Sequence, residues 1–156
     1  TILKWRVINM KAQIANTEIE GVLIGKTMPK YDDRGYFDRI FCNDAIQEFN
    51  GRYYKLQQIN HSLSIEKGTI RGCHFQYPPA SEVKIVSCLR GSLYDVAIDL
   101  RKDSPTYCHY VSRVLSEDNK KFLVIPEGFA HGFQTLQANT VGVSPYPPLL
   151  GRPCPQ

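Results

Sequence analysis

The chain has 156 residues, of which 42% are apolar and 22% charged, as is typical of a single globular domain. Its net charge of +4 is spread along the chain, which argues against a nucleic-acid-binding surface and is compatible with an anionic small-molecule ligand. No apolar run reaches the length of a membrane span, and the N-terminus lacks the pattern of a secretory signal. We therefore expect a cytosolic protein that spans no membrane.

Short segments rich in β-branched and aromatic residues recur along the chain, separated by turn signals such as YDDRG, YPP and KDSP. This spacing predicts an all-β sandwich or barrel. Residues 43–49, NDAIQEF, are the exception and predict a short helix, with Asn43 as its N-cap and an end before Gly51. The predicted strands lie within residues 22–27, 53–64, 69–76, 83–100, 107–115 and 121–126.

The composition changes after Thr140, where the chain reads TVGVSPYPPLLGRPCPQ. Five of the ten prolines lie between Pro145 and Pro155. Because proline has no N–H to donate to a sheet, this stretch is not expected to form central strands. We predict a single domain over residues 1–140 and an irregular tail over residues 141–156, and the abrupt change at Val141 suggests an altered reading frame.

Metal-binding and disulfide patterns are weak in this sequence. The five cysteines are odd in number and contain no CxxC pair, which predicts reduced packing thiols. Cupin-type metal sites use two histidines separated by one residue, and the four histidines here show no such spacing. We predict neither a metal ion nor another cofactor. The histidines are His61, His74, His109 and His131.

His74 lies in a predicted strand, GTIRGCHFQ, three residues after Arg71. Strand alternation places Gly72 and His74 on one face and Arg71 on the other. Arg71 could therefore share a pocket with His74 only if the strand bulges or twists at Gly72. On these residues alone, an ordinary strand histidine is the simpler interpretation.

Two further segments present polar groups beside turn residues. A proline and two glycines flank His131 in VIPEGFAHGFQTL, which predicts a turn entering a strand at a cavity rim. Arg34 lies between a turn and two aromatic residues in DDRGYF. A guanidinium beside aromatic faces suits a nucleoside diphosphate, because it offers a fork for phosphate and a surface for the base.

Taken together, the ordered segments resemble the dTDP-4-dehydrorhamnose 3,5-epimerase family. The resemblance covers about residues 21–136 and implies a double-stranded β-helix, the jelly-roll or cupin-like barrel. It also implies a homodimer with an exchanged N-terminal strand and a metal-free enzyme acting on a dTDP-4-keto-6-deoxy sugar nucleotide. The segments are DDRGYF, QQINHSLS, KGTIRGCHFQYPP, VKIVSCLRGSLYDVAIDLRKDSPTY and LSEDNKKFLVIPEGFAHGFQTL.

The resemblance assigns roles that match the chemistry of a ketosugar. The C3 and C5 protons are acidic because both carbons adjoin the C4 ketone, so the reaction needs a base, a cation for the enolate oxygen and an acid. The resemblance implies that His74 is the base and that Lys84 stabilises the enolate. Residues implied to bind the substrate are Arg34, Gln58, Asn60, Arg71 and His131.

Two family groups are not matched. The family tyrosine that donates the proton has its place taken by Ser144, and Tyr146 lies between prolines. The family aspartate that orients the catalytic histidine belongs to a distal segment that has no counterpart here. We therefore expect weak activity, or proton exchange without efficient inversion. The alternatives are a non-catalytic dTDP-sugar-binding cupin and a 3,4-ketoisomerase acting on a dTDP-4-ketosugar.

Overall fold

The computed structural model describes residues 11–54, 56 and 58–146, except for the side chains of residues 145 and 146. Within this part of the chain, one helix accompanies twelve strands. The elements are β1 (Gln13–Asn16), β2 (Leu23–Lys26), β3 (Lys30–Asp32), β4 (Gly35–Phe37), α1 (Asn43–Asn50), β5 (Gln58–Ser64), β6 (Ile70–His74), β7 (Lys84–Arg90), β8 (Ser92–Asp99), β9 (Tyr110–Ser116), β10 (Lys121–Ile125), β11 (Phe129–Thr135) and β12 (Thr140–Tyr146).

The strands form two larger antiparallel sheets and one small hairpin. The six-stranded sheet has the order β1-β2-β10-β7-β12-β5, and the four-stranded sheet has the order β6-β11-β8-β9. Among the described residues, strands β3 and β4 pair only with each other. The predicted all-β class is confirmed, and the two sheets are the layers of a jelly-roll barrel.

The main core lies between the two large sheets. Strand alternation sends every second side chain inward, so Leu93 and Ala97 of β8 meet Leu123 and Ile125 of β10. All four of these side chains are buried. This apolar packing fills one part of the barrel and leaves the part near β5, β6 and β12 available for polar groups.

A second cluster covers the outer face of the six-stranded sheet. Ile46 of α1 packs there against Ile85 and Phe122. The helix ends as predicted, because Gly51 adopts the left-handed conformation with φ of 74°. The predicted N-cap is wrong: Cys42 occupies that position, and the amide of Asn43 instead bonds the backbone of Tyr54.

Strand β12 includes residues 141–146 of the stretch that was predicted to be an irregular tail. It lies between β7 and β5, inside the six-stranded sheet. Its pairing with β7 is confined to Val141–Val143, whereas its pairing with β5 continues to Tyr146. Pro145 thus lies beyond the part of the strand that has two paired neighbours, where a missing N–H is tolerated. Residues 147–156 lie outside the described residues.

A buried carboxylate stabilises the turn that follows β8. Asp99 is fully buried and accepts hydrogen bonds from Arg101 at 2.7 Å, Ser104 at 2.6 Å and Thr106 at 2.7 Å. Burial alone would raise the pKa of Asp99, but the hydrogen bonds from these three side chains outweigh it and hold the pKa well below its usual range. The charged form of Asp99 therefore stabilises the folded state.

Replacing Asp99 with asparagine is expected to lower the free energy of unfolding at neutral pH by about 1–3 kcal/mol, because a neutral amide accepts weaker hydrogen bonds from Arg101, Ser104 and Thr106. A depressed folded-state pKa contributes stability above the unfolded value of about 3.9 and loses it as the pH falls further. The free energies of unfolding of parent and variant, measured in urea, should therefore approach each other progressively as the pH falls from about 4 toward the depressed folded-state pKa of Asp99. A difference in the free energy of unfolding that stays constant as the pH falls below about 4 would contradict the conclusion that charged Asp99 stabilises the folded state.

Candidate active site

A cavity of about 540 Å³ opens between the two large sheets. One wall comes from β6 and β11, and the other comes from β5, β7 and β12. The wall from β6 and β11 carries two histidines, and the opposite wall carries a third histidine, a lysine and several small polar side chains. The residues that line the cavity are Asn60, His61, Ser62, Ile70, Arg71, Gly72, His74, Lys84, Val86, Leu93, His131, Phe133, Gly142, Val143 and Ser144.

A bulge at Gly72 brings Arg71 and His74 to the same cavity, which regular strand alternation would not do. The pairing of β6 with β11 shifts by one residue there, because His131 lies opposite His74 and Phe133 lies opposite Arg71. Gly72 has φ of +104°, and a Cβ on it would lie 2.6 Å from the Cα of Gly132. Only glycine fits this close approach of the two backbones.

Arg71 spans the gap between the two sheets. Its Nε donates to the hydroxyl of Ser64 at 3.1 Å, and its Nη2 donates to the carbonyl of Leu63 at 3.2 Å. Both acceptors belong to β5, whereas Arg71 belongs to β6. The guanidinium is therefore fixed at the mouth of the cavity, where it remains exposed to an incoming anion.

Lys84 points into the cavity from the opposite sheet. The residue is only 7% exposed, and its Nζ lies 3.5 Å from both the carbonyl oxygen of His74 and the Oε1 of Glu82. The nearby carboxylate compensates part of the cost of burying an ammonium group. The ammonium group of Lys84 can therefore stabilise negative charge that develops on a ligand oxygen beside His74.

His131 forms the one histidine–carboxylate pair in the described part of the chain. Its Nε2 lies 2.8 Å from Oδ1 of Asp95, and the side chain of Asp95 is fully buried. Because a carboxylate can only accept, Nε2 carries a proton and Nδ1 is the nitrogen available to the cavity. The second oxygen of Asp95 is buried without a hydrogen-bond partner.

Ser144 stands on the wall opposite His74. Strand β12 pairs it with Asn60, and its hydroxyl donates to the carbonyl of Ile85 at 3.4 Å. A short hydroxyl therefore occupies the cavity position that the resemblance gives to a tyrosine. The side chain of Tyr146, two residues further along, is outside the described residues.

The cavity unites five of the seven predicted site residues. The other two lie elsewhere: Arg34 is on the exposed β3–β4 hairpin, paired with Asp32 at 2.6 Å, and Gln58 begins β5 outside the cavity lining. The roles of Arg34 and Gln58 therefore stay predictions. Those that line the cavity are Asn60, Arg71, His74, Lys84 and His131.

Asp95 was not among the predicted site residues, although the residue pattern of β8 indicates a buried carboxylate at this position. In SLYDVAID the inward positions are Leu93, Asp95, Ala97 and Asp99, so two carboxylates share a face with core residues. Buried carboxylates are rare unless paired, and each therefore predicts a partner. Asp99 finds Arg101, and Asp95 finds His131.

The described residues contain no group of three histidine, cysteine or carboxylate side chains arranged to hold a metal ion. In the same part of the chain, no helix is long and apolar enough to cross a membrane. The polar groups of the cavity are instead three imidazoles, two basic side chains, an amide and hydroxyls.

The sequence profile of dTDP-4-dehydrorhamnose 3,5-epimerase matches residues 16–144. The chain belongs to this epimerase family. The match includes Ser144, so family-like sequence extends past the predicted boundary at residue 140 and into β12.

Relatives of the same name support this assignment. The dTDP-4-dehydrorhamnose 3,5-epimerase of Sinorhizobium fredii is 49% identical over 110 residues, which cover 70% of this chain and 56% of that protein. The Shigella flexneri protein is 45% identical over 123 residues, covering 79% of this chain and 67% of that protein. The matched part of this chain thus spans between about half and two thirds of these relatives.

Solved epimerase structures share the fold. The dTDP-4-dehydrorhamnose 3,5-epimerase of Bacillus anthracis, with TDP and pyrophosphate bound, superposes with a TM-score of 0.82 at 37% identity, covering 87% of this chain and 77% of that one. A Legionella pneumophila 3,5-epimerase in complex with dTDP-4-keto-L-rhamnose gives the same TM-score and identity, covering 87% of this chain and 71% of that one. The cupin-like jelly roll is thereby confirmed.

Proposed function

We propose that this chain binds a dTDP-4-keto-6-deoxyhexose and removes a proton from a carbon beside the C4 ketone. One observation carries the proposal: His74 and Lys84, from different sheets, meet in one cavity with the Lys84 Nζ 3.5 Å from the backbone of His74. A base beside a buried cation is the arrangement that enolate formation needs. Family membership supports this class of substrate.

Binding of the nucleotide follows from the charge of the cavity. Arg71 at its mouth and Lys84 at its interior offer positive charge to a diphosphate and to the ketone oxygen. Asn60 and Ser62 add polar side chains that can hydrogen-bond sugar hydroxyls on the opposite wall. In this proposal, Arg34 and Gln58 contact the nucleotide outside this cavity.

Proton abstraction proceeds between the two walls. The neutral imidazole of His74 takes the proton from C3 or C5, and the electron pair moves toward the C4 oxygen. The ammonium of Lys84 balances the charge that develops there. Glu82 keeps Lys84 oriented without lying in the cavity lining.

Inversion is the step that this site performs poorly. Epimerisation requires a proton to arrive on the face opposite the base, and the residue facing His74 at the family tyrosine's place is Ser144. A serine hydroxyl is a far weaker acid than a phenol. Loss of a general acid costs roughly 10²–10⁴-fold in rate, so proton exchange should exceed net epimerisation.

A cytosolic homodimer is part of the proposal, as the family resemblance implies. The predicted exchange of an N-terminal strand falls on residues 1–10, which lie outside the described residues. Sedimentation of the full chain gives the oligomeric state directly.

The experiment that tests the function combines binding with deuterium uptake. The chain is incubated with dTDP-4-keto-6-deoxyglucose in D₂O, and the mass of the recovered ketosugar is followed with time, while calorimetry measures dTDP binding. We expect a time-dependent mass increase above the buffer control. Binding of dTDP with no mass increase would instead favour the non-catalytic sugar-nucleotide-binding protein.

A further inference from the structure

Asp95 and His131 form a buried acid–base pair that takes no part in the proton abstraction described above. The carboxylate is fully buried, and its contact with a side chain is the 2.8 Å bond from Oδ1 to the His131 ring. A buried carboxylate is costly unless a positive charge accompanies it. The carboxylate holds the Nε2 proton of His131, so a protonated ring keeps its Nδ1 proton available for a partner in the cavity.

The pair faces the reacting centre. His131 lines the cavity, and strand β11 places it directly opposite His74 of β6. Cβ atoms of directly opposed residues are typically about 4.5–5.5 Å apart, with both side chains on one face of the sheet. The two imidazoles thus share a wall and approach the same face of a sugar ring held between the sheets.

On the opposite wall, His61 of β5 is an exposed imidazole that has no carboxylate partner among the described residues, and the other two donors, Lys84 and Ser144, already make hydrogen bonds. The ammonium of Lys84 is held by Glu82 and by the carbonyl of His74, beside the expected enolate oxygen. The hydroxyl of Ser144 donates to the carbonyl of Ile85. Neither group combines an acidic proton with freedom to deliver it to carbon.

We propose that His131, positioned by Asp95, is a second acid–base residue of this cavity and returns a proton to the face of the sugar from which His74 removes one. This inference rests on the proposed function. It assigns His131 a proton-transfer role in addition to substrate contact, and it makes Asp95 a positioning residue.

The steps balance without any further reactant. His74 takes the carbon-bound proton, the C–H electron pair forms the C=C bond of the enolate, and the carbonyl pair moves onto the C4 oxygen. The carbonyl then reforms, and the carbon takes the proton of the His131 Nδ1. His74 releases its proton to solvent and His131 regains one, so a solvent hydrogen enters with retained configuration.

The test compares His131→Asn with the parent in D₂O, using the dTDP-4-ketosugar and NMR of the recovered sugar. The variant should lose roughly 10²-fold or more in exchange rate, since it lacks the donor. It should still bind dTDP in calorimetry. Asp95→Asn should lose exchange similarly, and His109→Asn, on an exposed turn, is the matched control.

The pH profile separates proton transfer from a structural role. Parent exchange needs one imidazole that accepts a proton and one that donates a proton, so its rate should decline on both sides of a pH optimum. The His131→Asn profile should lose the alkaline decline. Asp95 of β8 contacts His131 directly. The other charged or titratable side chains that line the cavity are Arg71 and His74 of β6, Lys84 of β7 and His61 of β5.

The possible results separate a failure of the His131 assignment from a failure of the proposed function. Parent exchange that requires His74 but is unchanged in both His131→Asn and Asp95→Asn would overturn the second acid–base role alone. Deuterium found only in inverted sugar would also overturn it. No exchange by the parent would remove the proposed function together with the inference.

Discussion

Replacing Ser144 with tyrosine is expected to convert proton exchange into inversion. The new phenol would project from β12 into the cavity, on the wall that faces His74. A donor on that wall delivers its proton to the opposite face of the enolate, which is the stereochemical requirement for epimerisation. We expect the rate of inverted product to rise by roughly 10²–10⁴-fold, the usual contribution of a general acid.

The matched control for this gain is Ser144→Phe, which adds the same ring without the hydroxyl. NMR of the sugar product distinguishes the epimers through the couplings of their ring protons. Equal rates of inversion in the tyrosine and phenylalanine variants would show that ring volume, rather than a proton, is what position 144 contributes.

Replacing His74 with asparagine is expected to abolish deuterium uptake while leaving dTDP binding intact. Asparagine is close in size and can hydrogen-bond, but it cannot accept a carbon-bound proton. Because the base acts before every later step, the loss should be at least roughly 10²–10⁴-fold. Mass analysis of the recovered ketosugar gives the rate, and calorimetry gives the affinity for dTDP.

His109→Asn again serves as the control, because that histidine lies on an exposed turn outside the cavity lining. Retention of parent-like uptake by the His74 variant would show that another group is the base. Loss of both uptake and dTDP binding would point to a disrupted cavity, which thermal unfolding of the variant would reveal.

Most of the barrel follows from strand patterns in the sequence. The segments around β2, β5, β7, β8 and β10 alternate or run apolar between turn residues, and each forms a strand as predicted. The sequence does not predict strand β12, because its prolines argue against a central strand more strongly than the alternation of Val141 and Val143 argues for one. The structure shows that one proline can end a central strand when only one neighbour is still paired there.

Local sequence patterns predict only part of the cavity. The bulge at Gly72 could be anticipated, because Arg71 and His74 could not otherwise share a face. The pairing of His131 with Asp95 spans 36 residues of sequence and depends on the register of β8 against β11, which strand composition does not specify. The distance of Arg34 from the cavity likewise depends on how the β3–β4 hairpin leaves the barrel.

The N-terminus of α1 likewise depends on a tertiary contact that the local sequence does not specify. Asn43 is a favoured capping residue, yet its amide is used by the backbone of Tyr54, eleven residues later. A tertiary hydrogen bond thus replaced the local one that propensity favours.

The position of deuterium in the ketosugar tests the central claim most directly. Proton NMR of dTDP-4-keto-6-deoxyglucose, incubated with this chain in D₂O, should show loss of the C3 or C5 proton signal, or of both, while the C1 and C2 signals persist. Persistence of both C3 and C5 signals at the buffer rate, or loss of the C2 signal, would contradict proton abstraction beside the C4 ketone.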